Sequence, residues 1–285
     1  MVTKTLRVKS KTKEIPELER KHGLQFSRKS LGIPYGVFLV LFVALPLAVL
    51  CYYAFTNGQG QFTVKNLTDF FTDPNTLGTL CYSLAIAFVT TAVCLLIAYP
   101  TAFFLANSRL RRKETLLLLI ILPMWINFSL RITALKEVLT LIEGNMAKYP
   151  FLNAVVGMTY DFLPFMILPI YNTLAKLDKS LIEAAKDLGA NERAAFWKVT
   201  LPLSMPGVVS GVAMVFLPAM TNYVVLDMLY NSTYIMGSLI GSYFAAYNWH
   251  GGSMIALVLL AIIIVFTLLT GRAADRDTDV GGALL

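Results

Sequence analysis

Charged side chains inside long apolar stretches are the residues of this sequence that most readily suggest chemistry. Asp227 follows an apolar run and is the only acidic residue between Glu192 and Asp275. A carboxylate in an apolar segment of membrane length is costly and usually faces a cavity or a partner. Asp227 could therefore hold one ammonium group of a cationic solute. The alternatives are an ion pair with Arg131 or a simple position at the water interface.

Asp161 and Arg131 interrupt two other apolar stretches. Asp161 could line a vestibule that attracts cations, although a helix-end carboxylate in water is the simpler interpretation. A buried guanidinium needs acidic partners, and Asp161 and Asp227 are the acids at a similar expected depth. For Arg131 we favour a structural or gating ion pair over direct contact with a solute.

Aromatic rings offer a second way to bind a cation. Tyr and Trp rings attract alkylammonium groups by about 0.5–2 kcal/mol each, but the same residues also mark membrane interfaces. Tyr223, four residues before Asp227, and Trp125 are our candidates for a solute path. The other aromatic residues considered are Tyr160, Tyr230, Tyr234, Tyr243, Tyr247 and Trp249.

The sequence gives little support for a catalytic or a metal-binding site. The only histidines, His22 and His250, are far apart in sequence, and the cysteines Cys51, Cys81 and Cys94 form no C-x-x-C pair. The sequence contains neither a P-loop nor a cluster of carboxylates with His or Lys near one end of the apolar segments. We expect no catalytic residue, no metal site and no cofactor in this chain.

Composition places these residues in a lipid bilayer. The 285-residue chain is 56% hydrophobic and only 14% charged, whereas soluble domains carry about 25% charged residues. Nine basic residues lie in the first 29 positions and account for much of the net charge of +7. Such a cluster indicates contact with an anionic membrane surface rather than binding of nucleic acid.

Apolar runs of spanning length predict an all-α fold with about six transmembrane helices. We expect spans at roughly 33–55, 82–105, from 115 onwards with an interruption at Arg131, 154–174, 207–226 and 253–270. Connections are predicted as an outer loop at 136–153 and an outer or re-entrant segment at 232–249. The predicted domains are a basic N-terminal tail at 1–31, a membrane domain at 32–271 and a polar C-terminal tail at 272–285.

Basic residues also predict the orientation. Twenty of the 24 Lys and Arg residues lie in the N-terminal tail, the loop after the second span, residues 176–206 and the C-terminal tail. Basic loops remain in the cytoplasm, so we expect both termini and residues 176–206 there.

Residues 176–206, here termed the docking element, form the longest polar island between apolar runs. Ser180 and Glu183 have the spacing of a capping box, which predicts a helix that begins at Leu181. Gly189 suits the left-handed residue that ends such a helix.

A second short helix is predicted after this turn. Asn191 can cap it, and it should extend to about Val199. Pro202 cannot continue that helix, and Pro206 suits the first turn of a new one. Two short helices around a glycine turn are small enough to fit a cleft in another protein. An ordinary interfacial helical hairpin is the alternative.

The docking element resembles the EAA loop of permease subunits of bacterial ABC importers. The family pattern is E-A-A, three residues, G, nine residues, then I-x-L-P. The matching residues are Glu183, Ala184, Ala185, Gly189, Val199, Leu201 and Pro202, with Val in place of Ile. The resemblance implies the type I importer fold and a loop that seats on an ATPase subunit.

Residues 122–132 and 163–191 resemble one subfamily, the first permease subunit of spermidine/putrescine importers. This implies the bacterial inner membrane and a solute path shared with a second, PotC-type permease subunit. It also implies two PotA-type ATPase subunits, which hold ATP and Mg, and a PotD-type extracytoplasmic polyamine-binding protein. Asp161 departs from the subfamily, where an apolar residue is expected.

Other transport classes remain open at this point. Related permeases for thiamine, ferric iron and sulfate share the EAA loop, so each is an alternative solute. A secondary carrier that needs no ATP is less favoured, because the sequence has no clear internal repeat.

Overall fold

The computed structural model describes residues 28–108, 111–144, 148–229 and 234–282, with side chains described between 32 and 271. The predicted all-α fold is confirmed. Most of the predicted N-terminal tail, residues 1–27, lies outside the described residues, as does Tyr230. The described chain divides into two units, one that ends at Ala48 and one that begins at Val49.

The N-terminal unit contains α1 (Arg28–Leu39), a π-helical turn (Val40–Ala44) and the start of α2 (Leu45–Ala54). Residues Gly32–Ala54 are long and apolar enough to span a membrane, in agreement with the first predicted span.

The second unit is built from eleven described helices. They are α3 (Lys65–Thr72), α4 (Pro74–Asn107), α5 (Lys113–Ile121), α6 (Phe128–Glu143), α7 (Pro150–Lys176), α8 (Lys179–Asp187), α9 (Glu192–Ala195), α10 (Leu201–Thr221), α11 (Tyr223–Leu229), α12 (Met236–Ala245) and α13 (Trp249–Gly282). Within the described ranges of the whole chain, five helices are long and apolar enough to cross a membrane. The count is six if a bent pair forms one span.

Helices α4, α7 and α10 form the centre of the second unit, and α10 also packs against α13. A Cβ atom on Gly207 would lie 2.5 Å from Thr173 Oγ1 and 2.8 Å from the Pro169 carbonyl oxygen. One on Gly211 would lie 2.7 Å from Met166 Sδ. The two glycines have G-x-x-x-G spacing, which lets membrane helices approach closely. This motif fixes the crossing of α10 over α7.

The third span is broken, but not at Arg131 as predicted. The segments Lys113–Trp125 and Phe128–Glu143 meet at an angle of 97°. Pro123 lies in a short 3₁₀ turn, and Ile126 then adopts an extended conformation. Asn127 starts α6, because its Oδ1 accepts a hydrogen bond from the Ser129 backbone N–H at 3.0 Å. Arg131 therefore lies just after the bend.

Other predicted spans agree with the helices to different degrees. The predictions at 82–105, 154–174 and 253–270 are confirmed, because they fall inside α4, α7 and α13. The predicted outer loop at 136–153 is wrong, because α6 continues to Glu143 and α7 begins at Pro150.

The fifth span is also shorter at its far end than predicted. Helix α10 ends at Thr221 rather than near Leu226, because Asn222 leaves the helical conformation with ψ of 84°. The segment predicted as outer or re-entrant contains α12, and α13 continues through most of the predicted C-terminal tail to Gly282.

Candidate functional site

The first helix of the docking element, α8, begins two residues earlier than predicted. Its N-cap is Asp178, whose Oδ1 accepts a hydrogen bond from the Ser180 backbone N–H at 2.9 Å. The predicted capping box between Ser180 and Glu183 is therefore wrong. A carboxylate accepts this bond and also complements the positive helix terminus. The same hydrogen bond from Ser180 lowers the pKa of Asp178 below its ordinary value.

The end of α8 is as predicted. Gly189 has a φ of 89°, in the left-handed region that glycine tolerates. The Ala190 N–H donates to the Ala185 carbonyl at 3.0 Å, and the Gly189 N–H donates to the Lys186 carbonyl at 2.9 Å. These two bonds form a Schellman motif, which satisfies the last carbonyls of the helix.

The second arm begins at Asn191, as predicted. Asn191 Oδ1 accepts from the Ala194 N–H at 2.8 Å and so caps α9. Across the turn, Lys186 Nζ and Glu192 Oε1 lie 2.6 Å apart in an exposed ion pair. Such surface pairs contribute little on their own.

The second arm does not end near Val199. It continues through a π-helical turn (Phe196–Thr200) directly into α10. The Leu201 N–H bonds to the Phe196 carbonyl, five residues back. This wider turn accommodates Pro202, which cannot donate a backbone hydrogen bond. The docking element is therefore continuous with a membrane-spanning helix.

Side chains also fix this arm on α4. The Phe196 ring lies edge-on to Phe103 and Tyr99, at centroid distances of 5.4 and 5.9 Å. The Tyr99 hydroxyl is 2.9 Å from Ser204 Oγ. Movement of the docking element would thus act on two spans of the central bundle.

The docking element leaves apolar side chains uncovered within this chain. Leu188 is 90% exposed and Trp197 is 66% exposed. Among the residues of the E-A-A and L-P patterns, Glu183, Ala184 and Pro202 are exposed, while Ala185 and Leu201 are half-buried. Exposed apolar groups on a well-capped helical hairpin are typical of a surface that binds a protein partner.

The predicted ion pair of Arg131 is formed with Asp161. Arg131 Nη2 donates to Asp161 Oδ1 at 2.7 Å, and the two side chains are only 7% and 6% exposed. The simpler interpretation of Asp161 as a carboxylate in water is wrong, as is the alternative that pairs Arg131 with Asp227. The pair joins α6, just after the bend, to the middle of α7.

The Arg131 guanidinium retains unused donors. Its Nε and Nη1 atoms are buried and have no hydrogen-bond partner among the described residues. Its Cζ lies 5.9 Å from the centroid of the Tyr160 ring. Because the guanidinium already neutralises the Asp161 carboxylate, this pair is better suited to joining helices than to holding an ammonium group.

The remaining predicted residues of the solute path lie on other elements than this pair. Tyr223 and Asp227 are exposed on α11, which packs against α6 and α7. The fit of α11 depends on Gly157 of α7, because a larger residue there would overlap Leu229. Trp125 is 86% exposed at the bend of the third span.

An acidic cavity was missed in the sequence. Asp69, Asp73 and Tyr243 line a cavity of about 200 Å³ with an amide side chain from Asn248. Asp73 also caps α4, and hydrogen bonds from the Thr76 hydroxyl and the backbone keep its pKa below the ordinary value. The D-x-x-x-D spacing of Asp69 and Asp73 is a sequence signal that could have drawn attention to the pair, but no local pattern specifies the approach of α12 and α13.

The comparisons with known proteins agree on one family. The family described as binding-protein-dependent transport system inner membrane component matches residues 98–276. The spermidine/putrescine transport system permease protein PotB of Haemophilus influenzae is 33% identical, over 90% of this chain and 98% of that protein. PotB of Escherichia coli is 32% identical, over 83% and 94%.

Solved structures give the same fold. The crystal structure of the bacterial alginate ABC transporter in complex with alginate pentasaccharide-bound periplasmic protein matches with a TM-score of 0.69. The likeness covers 87% of this chain and 93% of the matched chain at 12% identity. At that identity the comparison shows the fold, which is that of an ABC importer permease.

Proposed function

Because the chain belongs to the family of inner membrane components of binding-protein-dependent transport systems, we propose that it is the permease subunit of an ATP-driven polyamine importer. The PotB relatives, named for spermidine and putrescine transport, support polyamines as the solute class. The single structural observation that carries the coupling role is the docking element: a capped helical hairpin with an exposed apolar face, continuous with α10.

The docking element supplies the mechanical link that such an importer needs. Coupling requires an element with two arrangements that the ATPase binds differently. The continuous helix from Glu192 to Thr221 carries a displacement of α8 and its turn into the membrane. Packing of Phe196 against α4 passes the same displacement to a second span. This chain makes and breaks no bond itself.

The proposed solute contacts are Asp227 and Tyr223 on α11. Both are exposed, and a carboxylate with a nearby ring suits an alkylammonium group. The acidic cavity at Asp69 and Asp73 would raise the local concentration of a polycation by electrostatic attraction. In this scheme Arg131 and Asp161 hold α6 to α7 beside the path, and Trp125 lines its edge.

The proposal includes partners of defined roles. A second permease subunit of PotC type would complete the path, and two PotA-type subunits would bind ATP and Mg and supply hydrolysis. A PotD-type binding protein would deliver the polyamine on the outer face. The excess of basic residues near the docking element supports a cytoplasmic position for it and for both termini.

Reconstitution tests this proposal. The chain would be placed in proteoliposomes with its three types of partner, and uptake of labelled spermidine, thiamine, ferric iron and sulfate would be compared. We expect uptake of spermidine that requires enclosed ATP and the binding protein. Uptake of another solute alone would reject the polyamine assignment, and full uptake without ATP would reject the importer class.

A further inference from the structure

Where the docking element meets the ends of three membrane helices, the structure contains a second, basic cavity of about 200 Å³. Its lining is drawn from α4, α5, α7, α8 and the π-helical turn before α10. Two lysines, Lys113 and Lys179, line it together with Asn107, Ile182 and Thr200. No described carboxylate belongs to the lining, and the nearest one in sequence, Asp178, is engaged in capping α8, so the two lysines give the cavity an excess of positive charge.

Both lysines begin a helix. Lys113 is the first residue of α5 and Lys179 is the first residue of α8, and each helix has nine residues. The first N–H groups of a helix lack intrahelical partners and favour an anion. The N-terminus of α5 is open to an anion because it has no side-chain cap, whereas Asp178 already caps α8. Neither lysine forms an ion pair within the described part of the chain.

Thr200 adds a hydroxyl to the wall of the cavity. The residue is only 4% exposed, and its hydroxyl is not among the unpartnered side-chain atoms closed off from solvent, so it opens onto the cavity that Thr200 lines. A hydroxyl that opens onto a cavity can donate a hydrogen bond to whatever occupies it. An acceptor inside the cavity would satisfy this donor.

We propose that this cavity binds a phosphate group, with Lys113, Lys179 and Thr200 as its ligands. Two ammonium groups, one hydroxyl and a helix N-terminus provide the donors that a phosphate prefers. The source that fits best is the headgroup of an anionic lipid. Leu118 and Leu119 of α5 are 61% and 58% exposed, and they continue from Lys113 into the apolar layer.

The site would act on the docking element. A phosphate held there joins the first turn of α8 to the start of α5 and to the turn that leads into α10. The assignment does not depend on which solute the protein transports, so a failure of the polyamine proposal would leave it in place.

Lipid binding to the purified full-length chain tests the site. The chain is titrated separately with dioleoyl phosphatidylglycerol, with dioleoylglycerol, which lacks phosphate, and with inorganic phosphate. Binding of each compound is measured by native mass spectrometry. We expect the Kd for phosphatidylglycerol to rise about tenfold or more in Lys113→Gln/Lys179→Gln, since each lysine loses a charge-assisted bond. The matched control, Lys176→Gln/Lys198→Gln, removes two exposed charges of the docking element outside the cavity and should leave the Kd unchanged.

The arms of this experiment separate the sources. Lysine-dependent binding of inorganic phosphate that displaces the lipid would assign the site to free phosphate. Binding of dioleoylglycerol equal to that of phosphatidylglycerol would overturn the phosphate site, as would equal losses in both double variants.

Thr200 provides a second readout that does not depend on net charge. Thr200→Val removes a hydroxyl that has no described partner, so thermal stability without lipid should be unchanged or higher. Its Kd for phosphatidylglycerol should nevertheless rise severalfold, and Thr200→Ser should restore it. A Thr200→Val variant that binds as the natural chain does would exclude the hydroxyl as a ligand.

Discussion

The docking element and the Arg131–Asp161 pair stabilise this protein in opposite ways. In the docking element, polar groups are satisfied by neighbours within a few residues, and its apolar side chains are exposed. In the pair, two charges 30 residues apart in sequence meet in a buried position between two helices. Local capping leaves a surface free for a partner, whereas a buried pair fixes the helices that carry it.

This difference implies different responses to substitution. Breaking a buried pair leaves a charge without compensation and affects the whole fold. Changing an exposed, capped turn alters one small element and the partner that it binds. The following variants test that contrast, beginning with the largest expected effect.

Asp161→Leu should lower the free energy of unfolding by about 3–5 kcal/mol, because Arg131 would remain buried without its counter-charge. The measurement is denaturant unfolding of the purified chain in detergent micelles. The matched control is Arg131→Met/Asp161→Leu, which removes both charges and should recover most of the loss. A double variant as unstable as the single one would show that the pair's charges are not the cause.

Gly189→Val should cost roughly 1–2 kcal/mol at the turn, because a residue with a Cβ is strained in the left-handed region. We expect normal membrane insertion but lost stimulation of the ATPase by solute-loaded binding protein. Gly189→Asn is the control, since Asn tolerates this conformation and should retain most of the stimulation. Full stimulation in Gly189→Val would separate the turn from coupling.

Asp227→Asn should reduce uptake of spermidine several-fold, because an exposed ion pair contributes up to about 1 kcal/mol. Assembly of the complex should not change, since the side chain is exposed on α11. Initial uptake rates at several spermidine concentrations provide the test, with Glu137→Gln, an exposed acid of α6, as the control that should leave uptake unchanged. Identical kinetics in the natural chain and Asp227→Asn would exclude Asp227 as a solute ligand.

Asp178→Ala should weaken the start of α8, whereas Ser180→Ala should have a smaller effect because its backbone N–H remains. The folded-state pKa of Asp178 is lowered. Its contribution is therefore present above the ordinary value of 3.8 and is lost as the pH falls through the lower folded value. Hydrogen exchange should show that the amides of α8 lose protection as the pH falls through this range. In Asp178→Asn, protection of α8 should not depend on pH in this range.

Lys186→Gln is expected to produce the smallest effect, below about 0.5 kcal/mol, because the Lys186–Glu192 pair is exposed. Urea unfolding and binding-protein-stimulated ATP hydrolysis should both match the natural chain. A loss as large as that of Gly189→Val would mean that charge, rather than turn geometry, maintains the hairpin.

The same contrast explains what could be predicted from the sequence. Gly189 and Asn191 act through bonds within five residues, so their roles follow from spacing. The N-cap role of Asp178 was not predicted, because the four-residue S-x-x-E pattern that starts at Ser180 is a more specific capping signal than a single carboxylate before it. Spans were located by apolar length, although their ends shifted where Asn222 left the helix.

Long-range features were harder to infer. The partner of Arg131 depends on how α6 turns after the bend, which no local pattern specifies. Continuation of the helix through Pro202 required a π-helical turn, and helix rules alone predicted an end there. The G-x-x-x-G motif of Gly207 and Gly211 is visible in the sequence and indicates a close helix crossing. The motif does not identify α7 as the partner helix.

The most direct test of the central claim is crosslinking from two equally exposed positions in the assembled complex. A photoreactive amino acid at Leu188 of the docking element would be compared with one at Trp125, at 90% and 86% exposure. The account predicts an adduct with the ATPase subunit from position 188 and none from position 125. An ATPase adduct from position 125 alone would contradict it.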